Sequence, residues 1–79
     1  MDLVELLEDV AVEPSWRVHK EAPASLSTGM QGMVVHCRPQ DPPLYDVEFL
    51  KPDSQDAMVL ATLRASQIRV VERDTLGTP

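Results

Sequence analysis

The sequence predicts a single small domain of the all-β class. Residues 45–49 alternate apolar and acidic side chains, which is the two-residue period of a strand with one face in a core. Glycine and proline clusters divide most of the remaining chain into short apolar runs. The 79 residues leave room for one core, and a hydrophobic content of 43% is enough to fill it.

The first predicted element is a short helix in residues 1–8, an N-terminal apolar segment outside the main domain. Its apolar positions, which extend into the next element, recur at helical spacing: Leu3, Leu6, Leu7 and Val10. Asp2 and Glu5 are placed like a capping pair. A short strand over residues 10–12 follows, and Pro14 ends it.

Residues 13–31 are predicted to form a long first loop. Pro14, Pro23 and a polar Ser/Thr stretch disfavour any regular element there. Three apolar residues are available to hold this loop on the domain, namely Trp16, Val18 and Leu26. Gly29 and Gly32 then predict a tight structural turn, because paired glycines mark unusual backbone angles or a close approach of two strands.

The second half of the chain reads as strands joined by turns. Strands are predicted over residues 33–38, 45–49, 57–63 and 68–71, with proline-containing loops after the first two. A single helical turn at residues 65–67 precedes the last strand. Residues 74–79 are polar and are predicted to be a loose C-terminal tail.

Five short strands, a long first loop and a one-turn helix before the last strand together predict a small five-stranded SH3-like barrel over residues 9–73. Closing a small sheet on itself hides the strand edges that so short a chain otherwise exposes. Residues 7–11, 29–35, 45–49 and 60–68 resemble successive blocks of the bacterial DUF4926 family. The resemblance covers residues 6–71, and it implies the same barrel fold without an assigned activity.

The charge balance excludes several classes of partner. Seven Lys and Arg against thirteen Asp and Glu give a net charge of −6, whereas affinity for nucleic acids and anionic lipids comes from cations. No apolar run approaches the roughly 20 residues that span a bilayer. A lone cysteine, Cys37, and the lack of a secretory-signal pattern predict a cytoplasmic protein. No cofactor is predicted, because Gly29 and Gly32 lack the lysine and helix of a phosphate loop.

No catalytic or metal-binding residues are predicted. His36 and Cys37 are neighbours on a strand, so their side chains point to opposite faces and cannot hold one ion. We expect Cys37 in the core and His36 in solvent. A nucleophile–base pair such as Cys37 with His19 lacks any predicted oxyanion hole, which indicates that the protein is not an enzyme.

Asp46 and Glu48 lie two residues apart on one face of a predicted strand. Paired carboxylates at this spacing resemble an acid–base site. We instead expect a solvated outer face on which these acids pair with neighbours such as Arg64 or Arg69.

The function predicted from these patterns is a non-catalytic interaction module that docks to another protein or to itself. Its candidate surface residues lie in the first loop and the N-terminal segment: Trp16, Val18, Leu26, Leu3, Leu6 and Leu7. Trp16 is either an anchor onto the protein's own core or an anchor for a partner. Binding of proline-rich peptides is disfavoured, because one Trp, one Tyr and one Phe cannot form an aromatic strip.

The partner itself has several candidates. The N-terminal apolar side chains need a surface to pack on, which favours a homodimer. One alternative is an RNA- or ribosome-associated module of the KOW type, which the acidic charge disfavours. Another is an acidic partner that neutralises a basic protein, as antitoxins and immunity proteins do.

Overall fold

Strands form most of the regular structure in the computed structural model, which describes residues 2–72. The strands are β1 (Leu3–Leu6), β2 (Val10–Ala11), β3 (Ser25–Leu26), β4 (Gln31–Arg38), β5 (Leu44–Leu50), β6 (Ala57–Arg64) and β7 (Ile68–Glu72). Two single-turn 3-10 helices, Pro14–Trp16 and Ala65–Gln67, complete the described elements. The predicted all-β class and the helical turn before the last strand are confirmed.

Five of the strands form one antiparallel sheet in the order β6-β5-β4-β1-β7. The three consecutive strands β4, β5 and β6 make a meander, and β1 lies between β4 and β7. β6 and β7 are therefore the two edge strands of this sheet within residues 2–72. Within residues 2–72, the remaining strands β2 and β3 pair with each other alone, as a small two-stranded sheet inserted between β1 and β4 in the chain.

The core lies on one face of the five-stranded sheet, here called the inner face. Val47 and Phe49 of β5 are fully buried there, as the two-residue period predicted. Their cross-strand partners Ala61 and Val59 are equally buried, so this face is continuous across β5 and β6. Leu26 of β3 belongs to the same hydrophobic cluster. The small sheet therefore packs its apolar side onto the main sheet.

The predicted N-terminal helix is wrong, because Leu3–Leu6 is a β-strand paired between β4 and β7 in the sheet. Val4 and Leu6 alternate into the core and are almost completely buried. So short a segment cannot sustain a helix in water, whereas the sheet satisfies its backbone from both sides. The barrel consequently includes residues 3–6, which the sequence placed outside it. The predicted tail, residues 74–79, lies outside the described residues.

The predicted first loop contains more structure than the sequence indicated. Its strand β3 pairs with β2, with Val10 opposite Leu26. Further along the loop, Arg17 forms an isolated β-bridge with Val59 of β6. The backbone N–H groups of Val18 and His19 both donate to the carbonyl oxygen of Met58, at 2.9 and 3.2 Å. The loop therefore lies along the outer edge of β6.

The two glycines of the turn before β4 serve different purposes. Gly29 has φ +89°, a backbone conformation that side chains disfavour, and its surroundings are open. Gly32 lies where β4 crosses closest to the core. A Cβ atom there would lie 2.7 Å from Val47 Cγ1 and 2.9 Å from Phe49 Cε1. Gly29 permits the turn, and Gly32 permits β4 to approach β5.

Candidate functional site

The six candidate surface residues do not form one exposed patch. Leu6 and Leu26 are buried in the core, so the expectation that they face a partner is wrong. Leu7 and Val18 are exposed, at 49% and 59% of their full area. Leu3 is half-buried and pairs with Met33.

Trp16 is partly buried and packs against the hydrophobic core. It ends the first 3-10 helix, in which its N–H donates to the carbonyl oxygen of Glu13. This turn contacts β6, which places the indole beside the main sheet. The ring therefore holds the first loop onto the barrel, and only part of it is accessible to a second protein.

The first loop is also held by charged groups at two places. Thr28 donates to Asp9 Oδ1 through its backbone N–H (2.8 Å) and its hydroxyl (2.9 Å), and these bonds lower the pKa of Asp9. Lys51, after β5, lies 2.8 Å from Glu21 in the loop. This hydrogen-bonded pair lowers the pKa of Glu21 and raises that of Lys51. Both pairs are exposed, so each adds little stability.

The acidic strand face differs from the expected solvated surface at Asp46, which is only 8% exposed. Its carboxylate accepts a hydrogen bond from the Thr62 hydroxyl at 2.9 Å and one from Arg38 Nε at 3.3 Å. The partner is therefore Arg38 rather than Arg64 or Arg69. Two donors on neighbouring strands satisfy a carboxylate that burial would otherwise penalise.

The residues considered for chemistry are dispersed. Cys37 is exposed, so its expected place in the core is wrong. His19 accepts a hydrogen bond from the Glu21 backbone at 3.0 Å, a contact within the first loop. Within residues 2–72, no three His, Cys, Asp or Glu side chains are grouped as metal ligands. In the same part of the chain, no helix has the length and apolar character to cross a membrane.

The candidate site is a cleft of about 320 Å³ at one end of the barrel. Its lining comes from β1, β4, β5, the second 3-10 helix, β7 and the residue before β1: Asp2, Val4, Val34, Tyr45, Ala65, Ile68 and Val70. Val34 and Tyr45 are only half-buried, although they lie on the inner face. The core side chains thus leave this end of the inner face open, and we call this space the end cleft.

The end cleft combines apolar walls with two polar side chains. Five of its seven lining residues are aliphatic, and the others are Asp2 and Tyr45. Among residues 2–72, no group hydrogen-bonds the Tyr45 hydroxyl, so this hydroxyl is accessible to a ligand. Apolar walls with a few polar groups are typical of a binding site.

Sequence reasoning missed the end cleft. Tyr45, Ile68 and Val34 were recognised only as strand residues, because the inner-face pattern is identical whether a residue faces packed core or open space. The exposed Cys37 is placed opposite Tyr45 in the β4–β5 register. The sequence offered one signal, because the prolines in residues 39–43, directly after β4, indicate that the sheet ends close to Cys37 and Tyr45.

Comparisons with known proteins give no match for this chain. No protein-family model matches it, and neither does a curated protein or a solved structure. The geometry of the end cleft and of the sheet therefore carries the functional argument.

Proposed function

We propose that this protein is a non-catalytic interaction module that binds another protein through the end cleft. The observation that carries the proposal is a cleft of about 320 Å³, open to solvent, lined mostly by aliphatic side chains together with Asp2 and Tyr45. A volume at the lower limit of ligand pockets accommodates one large apolar side chain better than a whole cofactor. Interface anchors are side chains of this kind, seated in a pocket of the partner.

Charge supports a protein of basic character as the partner. The net charge of −6 repels nucleic acid and attracts a positively charged surface. Asp2 adds a carboxylate to the cleft wall itself. An apolar side chain flanked by Lys or Arg therefore fits the cleft. As the second candidate function, an acidic protein that neutralises a basic protein is therefore favoured over a KOW-type RNA-binding module.

The proposal also includes membership of the DUF4926 family and a cytoplasmic location. The family resemblance supports the first, since its four blocks fall on the turn and strands that build the barrel. The single, exposed Cys37 supports the second, because a reducing compartment keeps such a thiol free.

The experiment compares two variants on the second 3-10 helix. Ala65 is exposed and lines the cleft, whereas Ser66 is exposed on the same turn and does not line it. Ala65→Glu adds bulk and negative charge at the cleft rim, and Ser66→Glu adds the same group beside it. Tagged wild type and both variants are used for affinity capture from the source organism, followed by mass spectrometry and nucleic-acid staining.

We expect wild type and Ser66→Glu to capture the same protein and Ala65→Glu to lose it. Circular dichroism melts verify that both variants remain folded. Equal capture by Ala65→Glu would place the docking surface elsewhere. Recovery of RNA that withstands moderate salt would favour the KOW-type module instead.

A further inference from the structure

The outer face of the five-stranded sheet, on the side away from the core, carries an apolar row interrupted by one acid. The row crosses β6, β5, β4 and β1 and consists of Leu60, Glu48, Met33 and Leu3. Leu60 lies opposite Glu48, Glu48 opposite Met33, and Met33 opposite Leu3 in the strand registers. Their chain neighbours on β5 and β6 are buried in the core, so the row faces away from it. We call these four side chains the outer row.

The apolar members of the outer row are accessible and contiguous. Leu60 and Met33 are 39% and 37% exposed, and Leu3 is half-buried. Directly opposed residues of antiparallel strands lie about 4.5–5.5 Å apart, so each side chain in the row touches the next. Single exposed apolar residues are ordinary on a protein surface, whereas contiguous ones mark an interaction surface.

Glu48 is the acid in this row, and its carboxylate is unpaired. Within residues 2–72, no group hydrogen-bonds or ion-pairs with it. Asp46 and Glu5 are two other acids on the outer face, and each is bound by an arginine of a neighbouring strand. The half-buried Glu48 carboxylate therefore lies between two apolar side chains and is accessible to a cation of another molecule.

We propose that the outer row binds a helix of another protein that carries Lys or Arg between two apolar side chains. The cation binds Glu48, and the apolar side chains cover Leu60 and Met33. Charge complementarity argues for this occupant over a second copy of the chain. The outer row contains an acid and no base, and the chain has a net charge of −6, so a second copy adds mainly repulsion.

The spacing of the outer row favours a helix over a strand. Leu60 and Met33 are two strand separations apart, about 9.5 Å. Residues i and i+7 of a helix lie on one face about 10.5 Å apart, with i+3 and i+4 between them. Three alternate residues of a strand span about 13 Å, which is too long for the row. The partner helix therefore has apolar residues at i and i+7 and a basic residue at i+3 or i+4.

The expected complex is weak and separate from the end cleft. One short helix makes a smaller contact than the standard interface of roughly 1,600 Å². We therefore expect a dissociation constant of about 10–500 μM. The outer row shares no residue with the lining of the end cleft, so its occupant is independent of the proposed function.

The test uses a synthetic alanine-based helical peptide of about 18 residues with Leu at i and i+7 and Lys at i+4. The peptide is titrated into the full chain, and methyl signals are followed by two-dimensional NMR. We expect saturable shifts at Leu60, Met33 and Leu3. The methyl signals of Ile68 and Val70, which line the end cleft, should stay unchanged.

Charge reversal separates pairing with Glu48 from attraction to the whole protein. Glu48→Lys should weaken binding of the Lys peptide at least about fivefold. A second peptide with Glu in place of the Lys should show the reverse preference and bind Glu48→Lys better than wild type. Glu13→Lys is the matched control, because Glu13 is exposed in the first loop and the change in net charge is identical. Its effect should be within about twofold, since a distant exposed charge is screened.

Thermal melts verify that the variants are folded, and Ala65→Glu should bind the Lys peptide like wild type. The proposal is overturned if the Lys peptide shifts no outer-row signal at about 1 mM. Shifts at Ile68 and Val70 instead, or equal losses in Glu48→Lys and Glu13→Lys, also overturn it. Outer-row shifts that depend on protein concentration without peptide would identify a second copy as the occupant.

Discussion

Gly32→Ala is the most direct test of how closely β4 and β5 approach. The added Cβ would lie 2.7 Å from Val47 Cγ1, 2.9 Å from Phe49 Cε1 and 2.9 Å from the carbonyl oxygen of Glu48. Carbon atoms in proteins prefer separations of about 3.5–4.0 Å, so the first two contacts are too short by roughly 0.6 Å or more. Val47 and Phe49 are fully buried and have no space to retreat. β4 must therefore move away from β5.

We expect Gly32→Ala to lower the free energy of unfolding by about 3 kcal/mol, the upper end of the usual range for overpacking a core. The smaller entropy of the unfolded chain offsets about 0.4–1 kcal/mol of this. A net loss of about 2–3 kcal/mol is large against the roughly 4–12 kcal/mol typical of 79 residues. It corresponds to a fall in melting temperature of about 10–20 °C.

Urea unfolding followed by the fluorescence of Trp16, the single tryptophan, measures this loss. Gly29→Ala is the control, because nothing lies within 4 Å of its added Cβ and only the positive φ is penalised. We expect Gly29→Ala to cost about 1–2 kcal/mol. A Gly32→Ala variant as stable as wild type, or more stable than Gly29→Ala, would refute the argument from close approach.

Three further outcomes are expected. Trp16→Ala should lower the free energy of unfolding by about 2–3 kcal/mol, less than the loss of a fully buried aromatic, because the ring is only partly buried. Urea unfolding followed by circular dichroism measures this change, and a loss below about 1 kcal/mol would show that the ring does not support the core. Thr62→Val removes a donor to the buried Asp46 carboxylate and should cost about 1–2 kcal/mol, whereas unchanged unfolding would show that the donor is dispensable. Asp9 has a lowered pKa in the folded state, so its stabilising effect is present above its unfolded value of 3.8 and is lost as the pH falls below it. Asp9→Asn should therefore narrow the difference between melting temperatures at pH 7 and pH 3, and an unchanged difference would contradict this assignment.

Strand periodicity made β5 predictable, whereas a pattern that fits both a helix and a strand explains the error near the N-terminus. Tyr45, Val47 and Phe49 alternate strictly with acids, and Val47 and Phe49 are buried as that pattern predicts, although Asp46 is buried too. In residues 3–7, the same leucines fit a helical spacing, while Val4 and Leu6 also fit an alternating strand. Only the tertiary context decides between them, because β4 and β7 flank this segment in the sheet.

The contents of the first loop and the end cleft were beyond sequence reasoning for different reasons. β2 and β3 have two residues each, which is too short for any periodicity to register. Leu26 therefore appeared as an isolated apolar residue in a loop, although it is fully buried. The end cleft draws its residues from four separate stretches of the chain, namely residues 2–4, 34, 45 and 65–70, and no local pattern encodes such a meeting.

The position of β1 between β4 and β7 has a consequence for folding order. Leu3 pairs with Glu72, so this contact closes a loop of nearly the whole described chain. Its closure entropy exceeds that of a four-residue hairpin by about 2.5 kcal/mol. The local meander β4–β6 can form early, whereas β1 gains its second neighbour only when β7 is available. During synthesis, β1 leaves the ribosome before β7, which follows more than 60 residues later. Until β7 emerges, β1 can be hydrogen-bonded to β4 only. The newly made chain therefore depends on its last described strand to complete the pairing of its first described strand.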